Sequence, residues 1–327
     1  MKKKLTVMTG ILMAVMMLGS AAAFAGEADD TVYNVGICQL VQHNALDAAT
    51  QGFRDALTEA LGEDHVVFDE QNAAGDSATC ATITAGFAAS DVDLIMANAT
   101  PALQAATSAT STIPILGTSV TDYGTALNLE DFSGTVGNNV SGTSDLAPLD
   151  QQAEMIKELF PEAKTVGIMY CSGEANSVYQ ATVMRGLLED MGYTVEEYTF
   201  ADSNDVALVT QSACDENDVI FLPTDNTAAS CTSAIDAVAR PTGTPIVCGE
   251  ENMCAGCGVA TLTISYYDLG RVTGEMAAKI LTGEEDVSEM PIQWAADTTK
   301  KYNAEICEAL GIEIPEGYEV IEVEEAE

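Results

Sequence analysis

The sequence predicts an α/β protein made of two similar Rossmann-like lobes with parallel sheets, joined by a three-crossing hinge. Three observations lead there. Short apolar runs alternate with helical patterns along most of the 327 residues, which is how parallel sheets covered on both faces are encoded. Two stretches echo each other: residues 94–105 read Leu-Ile-Met-Ala-Asn-Ala-Thr-Pro-Ala-Leu-Gln-Ala and residues 219–230 read Val-Ile-Phe-Leu-Pro-Thr-Asp-Asn-Thr-Ala-Ala-Ser. Each is an apolar strand, a polar turn and an Ala-rich helical segment. Matching strand positions also recur at near-constant offsets: 131 residues from Val35 to Val166, 125 from Ile95 to Ile220 and 131 from Ile115 to Ile246. Such regularity predicts duplicated βαβ lobes.

The elements follow in order. Residues 1–25 have the form of an export signal. Lys2-Lys3-Lys4 is its basic start, Leu5 to Leu18 its apolar run, and Ala23-Phe24-Ala25 its small-x-small cleavage site. Gly26 then becomes the mature start, and the product is expected to be periplasmic, extracellular or at the cell surface. No Cys lies near the cleavage site, so the usual lipid-anchor pattern is absent. The first lobe, 32–145, opens with strand Val32–Cys38. A helix follows, with Leu46, Ala49, Phe53, Ala56, Leu57 and Leu61 at helical spacing and a stop at Gly62. Strands at Val66–Phe68, Leu94–Ala97 and Ile113–Leu116 alternate with further helices. From 146 the grammar restarts, with strands at Thr165–Tyr170, Thr194–Thr199, Asp218–Leu222 and Pro245–Cys248.

After 260 the pattern changes. Strand Leu262–Ile264 leads into a helix carrying Val272, Met276, Ile280 and Leu281, then strand Pro291–Trp294 and helix Ala304–Leu310. We assign 264–290 back to the first lobe and 291–315 to the second, with crossings near 145, 263 and 291. Residues 316–327 are expected to be a frayed acidic tail.

Composition narrows the function classes. The chain is 47% hydrophobic and carries 51 acidic against 12 basic residues, a formal net charge of −39. That surface is solvated and self-repelling, and it leaves little to neutralise phosphates, so nucleic acid is not an expected partner. No phosphate-cradling Walker motif is present, so ATP hydrolysis would fall to another subunit. The nine cysteines are an odd number, which leaves at least one thiol unpaired within a monomer. Cys254-Ala-Gly-Cys257 has redox spacing, but its Gly-rich flank reads as a loop holding a local disulfide or two free thiols. With two histidines in the chain and no third clustered ligand beside His43 and Asp47, no metal and no other cofactor is expected.

Seven motifs in order resemble one known family. They are His43-Asn44-Ala45-Leu46-Asp47, Gln71 to Asp76, Ala99-Thr100-Pro101-Ala102, Val120-Thr121-Asp122, Ser172-Gly173-Glu174-Ala175-Asn176-Ser177, Pro223-Thr224-Asp225-Asn226-Thr227 and Tyr266 to Arg271. The chain is similar over roughly 33–315 to ABC-transporter substrate-binding proteins with a type I periplasmic-binding fold, in the branch of tryptophan- and tyrosine-type binders. The resemblance implies capture of a small solute outside the cytoplasm and delivery to a permease with a separate ATPase subunit. Asn44 stands where the family usually has Pro, and Cys38, Cys171, Cys254 and Cys257 are unusual for it.

The chemistry of such a cleft selects candidate residues. A free amino acid carries a carboxylate and an ammonium, both costly to bury unpaired. Helix N-termini and hydroxyls serve the first, and an Asp or Glu meets the second. Thr100, Ser119, Thr121 and Ser177 are the expected carboxylate-side donors. Asp225, with Asp122 or Glu250, is the expected ammonium partner. Gln39 and His43 sit in the first strand–helix loop, on the same cleft edge. Pro101, Glu174, Asn176, Thr224 and Asn226 complete the motif loops. One of Tyr266 and Tyr267 should face the cleft, and Tyr267 is taken as that residue. Each Ser, Thr or Asp has the alternative role of a helix cap. The expected protein is therefore a monomeric solute receptor without catalysis, its ligand an aromatic or branched amino acid. An exported thiol oxidoreductase using Cys254 and Cys257, or a sensory module of a signalling receptor, are the rival readings.

Overall fold

The computed structural model describes residues 31–90, 92–295 and 297–322. The export signal lies outside the described residues. The first lobe runs β1 (Tyr33–Gln39), α1 (Asn44–Leu61), β2 (Val66–Asn72), α2 (Ser77–Ser90), β3 (Leu94–Asn98), α3 (Thr100–Ala109), β4 (Ile115–Val120), α4 (Tyr123–Leu127) and β5 (Val140–Ser144). The second runs α5 (Leu149–Leu159), β6 (Thr165–Cys171), α6 (Ala175–Asp190), β7 (Thr194–Phe200), α7 (Val206–Glu216), β8 (Val219–Leu222), α8 (Asn226–Ala229), α9 (Thr232–Thr242), β9 (Ile246–Cys248), α10 (Glu251–Cys257) and β10 (Ala260–Thr263). The chain ends with α11 (Tyr266–Leu281), β11 (Gln293–Trp294), β12 (Thr299–Tyr302), α12 (Ala304–Leu310) and β13 (Glu319–Val320).

The sheets are ordered β2-β1-β3-β4-β5-β11 and β7-β6-β8-β9-β10-β12-β13. The first five strands of each are parallel and doubly wound in the same order. Central strands β3, β4 and β8 are buried along their whole length, as strands covered on both faces must be. The register is duplicated as well as the order. Val35 faces Leu94 and Ile95 faces Ile115 in the first sheet; Val166 faces Val219 and Ile220 faces Ile246 in the second.

Helix α11 packs against α1 in the first lobe. The approach is close enough that a Cβ added at Gly52 would lie 2.0 Å from the Tyr267 carbonyl, and one at Gly270 would lie 2.0 Å from the Ala49 carbonyl. Only glycine permits that contact.

Two expectations about the end of the chain are corrected. Residues 291–294 stay with the first lobe, because β11 pairs in parallel with Thr143 and Ser144 on the otherwise open edge of β5. The Ile292 N–H donates to the Gly134 carbonyl at 2.7 Å, and Ile292 is buried in that lobe's core. The last crossing therefore falls between Trp294 and Thr299. The start of the acidic tail is also ordered: β13 adds to β12, and the Ile321 side chain is buried. Residues 323–327 lie outside the described residues. Among those described, no helix is long and apolar enough to cross a membrane.

Candidate functional site

Parallel strands of both sheets end facing the cleft between the lobes, and their polar ends cap the helices that follow. His43 caps α1 through Nδ1, which accepts the Leu46 N–H. Asp225 caps α8 by accepting the Ala228 N–H, and Glu250 caps α10 by accepting from Asn252 and Met253. The lobe offsets pair these positions: His43 with Glu174 (131), Thr100 with Asp225 (125) and Ser119 with Glu250 (131). At three equivalent strand ends the first lobe carries a neutral residue and the second an acid.

The lobes close on a narrow, partly open cavity. A hydrogen bond joins its two rims, His43 Nε2 to Asn226 Oδ1 at 3.4 Å. Nδ1 of His43 is an acceptor, so Nε2 carries the proton and donates. Burial holds the imidazole below its ordinary pKa, which favours this neutral form. On the first-lobe side, Ser119 lies at the end of β4 with φ 53°, beside a register shift against β5. A serine held in the left-handed region is strained, and such strain collects at functional sites. Its Oγ is buried without a partner. Next to it, Thr121 Oγ1 donates to Asp145 at 3.0 Å and the Tyr266 hydroxyl donates to the other oxygen of Asp145 at 2.8 Å. Burial raises the pKa of Asp145 against the opposing effect of those two bonds.

The second lobe contributes Asn176, Thr224, Asp225, Asn226, Glu250 and Met253 to the wall. Asp225 accepts backbone N–H groups at both oxygens, from Ala228 at 2.8 Å and Cys171 at 2.7 Å. Burial and then the Glu174 charge nonetheless push its pKa up to about 7. Glu250 is likewise raised to about 7, by burial. No Lys or Arg lines the cavity.

The expected site residues divide into two groups. His43, Ser119, Thr121, Asn176, Thr224, Asp225, Asn226 and Glu250 share the cavity wall. The others lie elsewhere, each for a visible reason. The Gln39 amide is consumed inside the first lobe, donating to Asp47 and the Val41 carbonyl and accepting from Thr50. Thr100 is buried at the start of α3, and Pro101 lines a wider, open chamber at the cleft mouth. Asp122 caps α4 by accepting the Thr125 N–H, outside the cavity wall. Glu174 lines the mouth chamber, where its oxygens hold the turn by accepting from Asn226 and Thr227. Ser177 is fully buried behind the wall. Tyr267 points away, 37% exposed and donating to Asp55. Tyr266 takes the place expected for it.

Sequence reasoning passed over Asp145, Ala45, Leu46, Ala229 and Met253. Asp145 had a usable signal, an acid at the end of a strand where the chain crosses between lobes. The apolar residues had none, because their periodicity is that of any helix.

The cysteine loop is also corrected. Residues 251–257 are helix α10, which the Glu250 cap starts and whose Gly256 lets it approach Thr232 on α9. All nine thiols are free. Cys254 and Cys257 are buried in the core, and burial raises the Cys254 pKa; contact with Cys248 and burial raise that of Cys257. A thiol in that setting is unreactive. Among the described residues, no group of three or more His, Cys, Asp or Glu is arranged to hold a metal ion.

Two doubly wound lobes that shut on a polar cavity define a two-lobed solute receptor of the type I periplasmic-binding fold. A family model described as ABC transporter substrate binding protein matches residues 34–324, and the chain belongs to that family. A tyrosine-binding protein of Clostridioides difficile strain R20291 is 35% identical over 285 residues, 86% of this chain and 81% of that one. A Streptococcus pneumoniae domain solved in complex with L-Trp is 33% identical, with TM-score 0.84 and coverage of 89% and 100%. A ligand-free, open substrate-binding protein with adhesive properties from Clostridium difficile is 38% identical, with coverage of 90% and 100%, yet its TM-score is 0.69. The greater likeness to the L-Trp complex, despite lower identity, fits the closed lobes seen here. More distant structures share the fold alone, such as a Bacillus halodurans solute-binding protein with myo-inositol at 15% identity and TM-score 0.60.

Proposed function

We propose that this protein is the extracytoplasmic receptor of an ABC importer and that its solute is a free amino acid, aromatic or branched. One observation carries the reading: the interlobe cavity is walled by three carboxylates, Asp145, Asp225 and Glu250, and by no Lys or Arg. A buried cation is what such a wall lacks. Opposite Asp225 and Glu250, the Ser119 hydroxyl and the start of α1 suit a carboxylate. Leu46, Met253 and Tyr266 leave apolar surface for a side chain. The tyrosine-binding relative and the L-Trp complex support the same class of ligand. Sugar recognition through a Trp platform has no support, since the sole Trp, Trp294, is exposed on β11, outside the cavity wall.

Residues 1–25 would direct export and be cleaved off after Ala25, and closure on the solute would present a defined surface to a permease working with a separate ATPase. The receptor acts as a monomer and returns its solute unchanged, with no cofactor. Calorimetry and thermal shift on the mature chain, with a panel of amino acids, sugars and nucleobases, test this. An aromatic or branched amino acid should bind and raise Tm, as any ligand selective for the native state does. Binding of a sugar or nucleobase with no amino acid bound would overturn it.

A further inference from the structure

Seven buried side-chain polar atoms have no hydrogen-bond partner among the described residues, and two of them belong to residues of the one narrow interlobe cavity. They are Ser119 Oγ, from the first lobe, and Asn176 Oδ1, from the second. Buried polar atoms are almost always paired, so an orphan on a cavity wall marks where a ligand atom belongs. The two differ in what they can accept. A hydroxyl can donate or accept, whereas an amide oxygen only accepts.

The orientation of the Asn176 amide is set by its neighbours. Its Nδ2 lies 3.2 Å from Glu174 Oε2 and 3.2 Å from the Thr224 carbonyl oxygen, besides Ser177 Oγ at 3.2 Å. The first two are oxygens without a hydrogen, so the nitrogen must face them and the amide cannot be flipped. Oδ1 is left as a fixed acceptor, 5% exposed with its whole residue. Asp225, by contrast, already has a backbone N–H on each oxygen.

We infer that Asn176 Oδ1 is the specificity-determining acceptor for the ammonium of the bound amino acid, with Asp225 and Glu250 supplying charge around it and Ser119 Oγ donating to the ligand carboxylate. The inference rests on the amino-acid reading and deepens it: the cavity distinguishes an α-amino acid from the same acid lacking its amine. A site built around a buried acceptor rejects an analogue without the donor, because the acceptor is then left unpaired.

Substitution at Asn176 should leave the fold intact. Gln180 Nε2 also donates to the Thr224 carbonyl, and Glu174 keeps its bonds from Asn226 and Thr227. The test is a cycle of two ligands and two proteins. L-tyrosine and its deaminated analogue, 3-(4-hydroxyphenyl)propanoate, are titrated against the wild type and Asn176→Ala, with L-tryptophan and its own deaminated analogue as a second pair. The fold is monitored by circular dichroism. Loss of a hydrogen bond to a charged group predicts that Asn176→Ala weakens the amino acid by about 10- to 100-fold. The deaminated analogue should bind the wild type no more tightly than the amino acid binds the variant, and lose no more than about twofold on the same substitution. An equal loss for both ligands, or a deaminated analogue bound as tightly as its amino acid, would overturn the Asn176 assignment while leaving the solute class standing. Binding of no amino acid overturns both. A crystal structure of the complex gives a second readout. The ligand nitrogen should lie within hydrogen-bond distance of Asn176 Oδ1, and a water or the ligand carboxylate there would refute the assignment. That readout does not depend on any variant folding.

Discussion

The two lobes share strand order and register, yet they meet the cleft with different chemistry. Where the first lobe ends its strands in His43, Thr100 and Ser119, the second ends the equivalent strands in Glu174, Asp225 and Glu250. All are placed by the same scaffold, and four of them serve as, or stand at, helix caps. A cap position accepts either a neutral or an acidic residue with little effect on the helix. Function is therefore free to choose, and here the choice polarises the clamp. The fold makes a symmetric jaw, and three paired positions bias it, although Asp145, where the first lobe hands over to the second, also puts a carboxylate on the wall.

That asymmetry is most severely tested by abolishing it. Ser119→Asp gives the first lobe an acid like its counterpart, and Asp tolerates the left-handed φ of 53° that Ser119 adopts. A second carboxylate facing the ligand's own should weaken amino-acid binding by more than about 100-fold, since like charges brought together in an interface cost several kcal/mol. Calorimetry would show it, and a Tm near the wild type would show that the fold is unharmed.

Asp225→Ala acts on the other jaw and has two effects. It removes the α8 cap and the bond from the Cys171 N–H, so the ligand-free protein should lose about 1–2 kcal/mol of stability by denaturant titration. Affinity should fall as well, by roughly tenfold or more, because the ammonium loses a neighbouring charge. Unchanged affinity with lowered stability would make Asp225 a cap alone.

Acidity probes the same asymmetry without mutation. Asp225 and Glu250 have pKa values raised to about 7, and Asp145 is raised by burial too. A bound ammonium favours the ionised forms, so it lowers these pKa values and binding expels protons. Affinity is then full above about pH 7 and is lost as pH falls through that range. His43 works in the same direction: its pKa is lowered by burial, and the closed rim uses it as an uncharged donor to Asn226. Between pH 8 and pH 6 affinity should weaken by about tenfold, one pKa unit's worth of coupling. Titrations in buffers of different ionisation enthalpy would detect the proton release, and a pH-independent affinity would contradict the picture.

Smaller effects are expected at the rims. His43→Ala loses one long bond across the cleft and should cost about 0.5–1.5 kcal/mol of closed-state stability, seen as up to about tenfold weaker binding with faster release. Tyr267→Phe should change affinity by less than about twofold, because that hydroxyl bonds to Asp55 at the surface.

Much of this architecture is legible in the chain. Parallel strands buried on both faces are continuous apolar runs, and the repeated offsets survive into the register, where Ile95 faces Ile115 as Ile220 faces Ile246. The edges of the sheets are harder. β11 and β13 are two-residue strands with exposed side chains, so their membership rests on a few backbone bonds that leave no periodicity. The site was legible as a set of loops but not as a wall. Every polar strand end resembles every other in one dimension, and Gln39 and Ser177 turn inward while Tyr267 turns outward for reasons of packing.

The sequence by itself determined two lobes, the doubly wound order and the polar strand ends that cap the helices, because local periodicity and capping chemistry encode all three. Only the tertiary structure decided which of those ends face the solute. It placed Asp145 and Tyr266 beside Thr121, used both oxygens of Asp225 on backbone groups, and left Ser119 Oγ and Asn176 Oδ1 without partners. The reason is physical: hydrogen-bond satisfaction is settled in three dimensions, often by residues distant in the chain, such as Asn176 and Thr224, 48 positions apart.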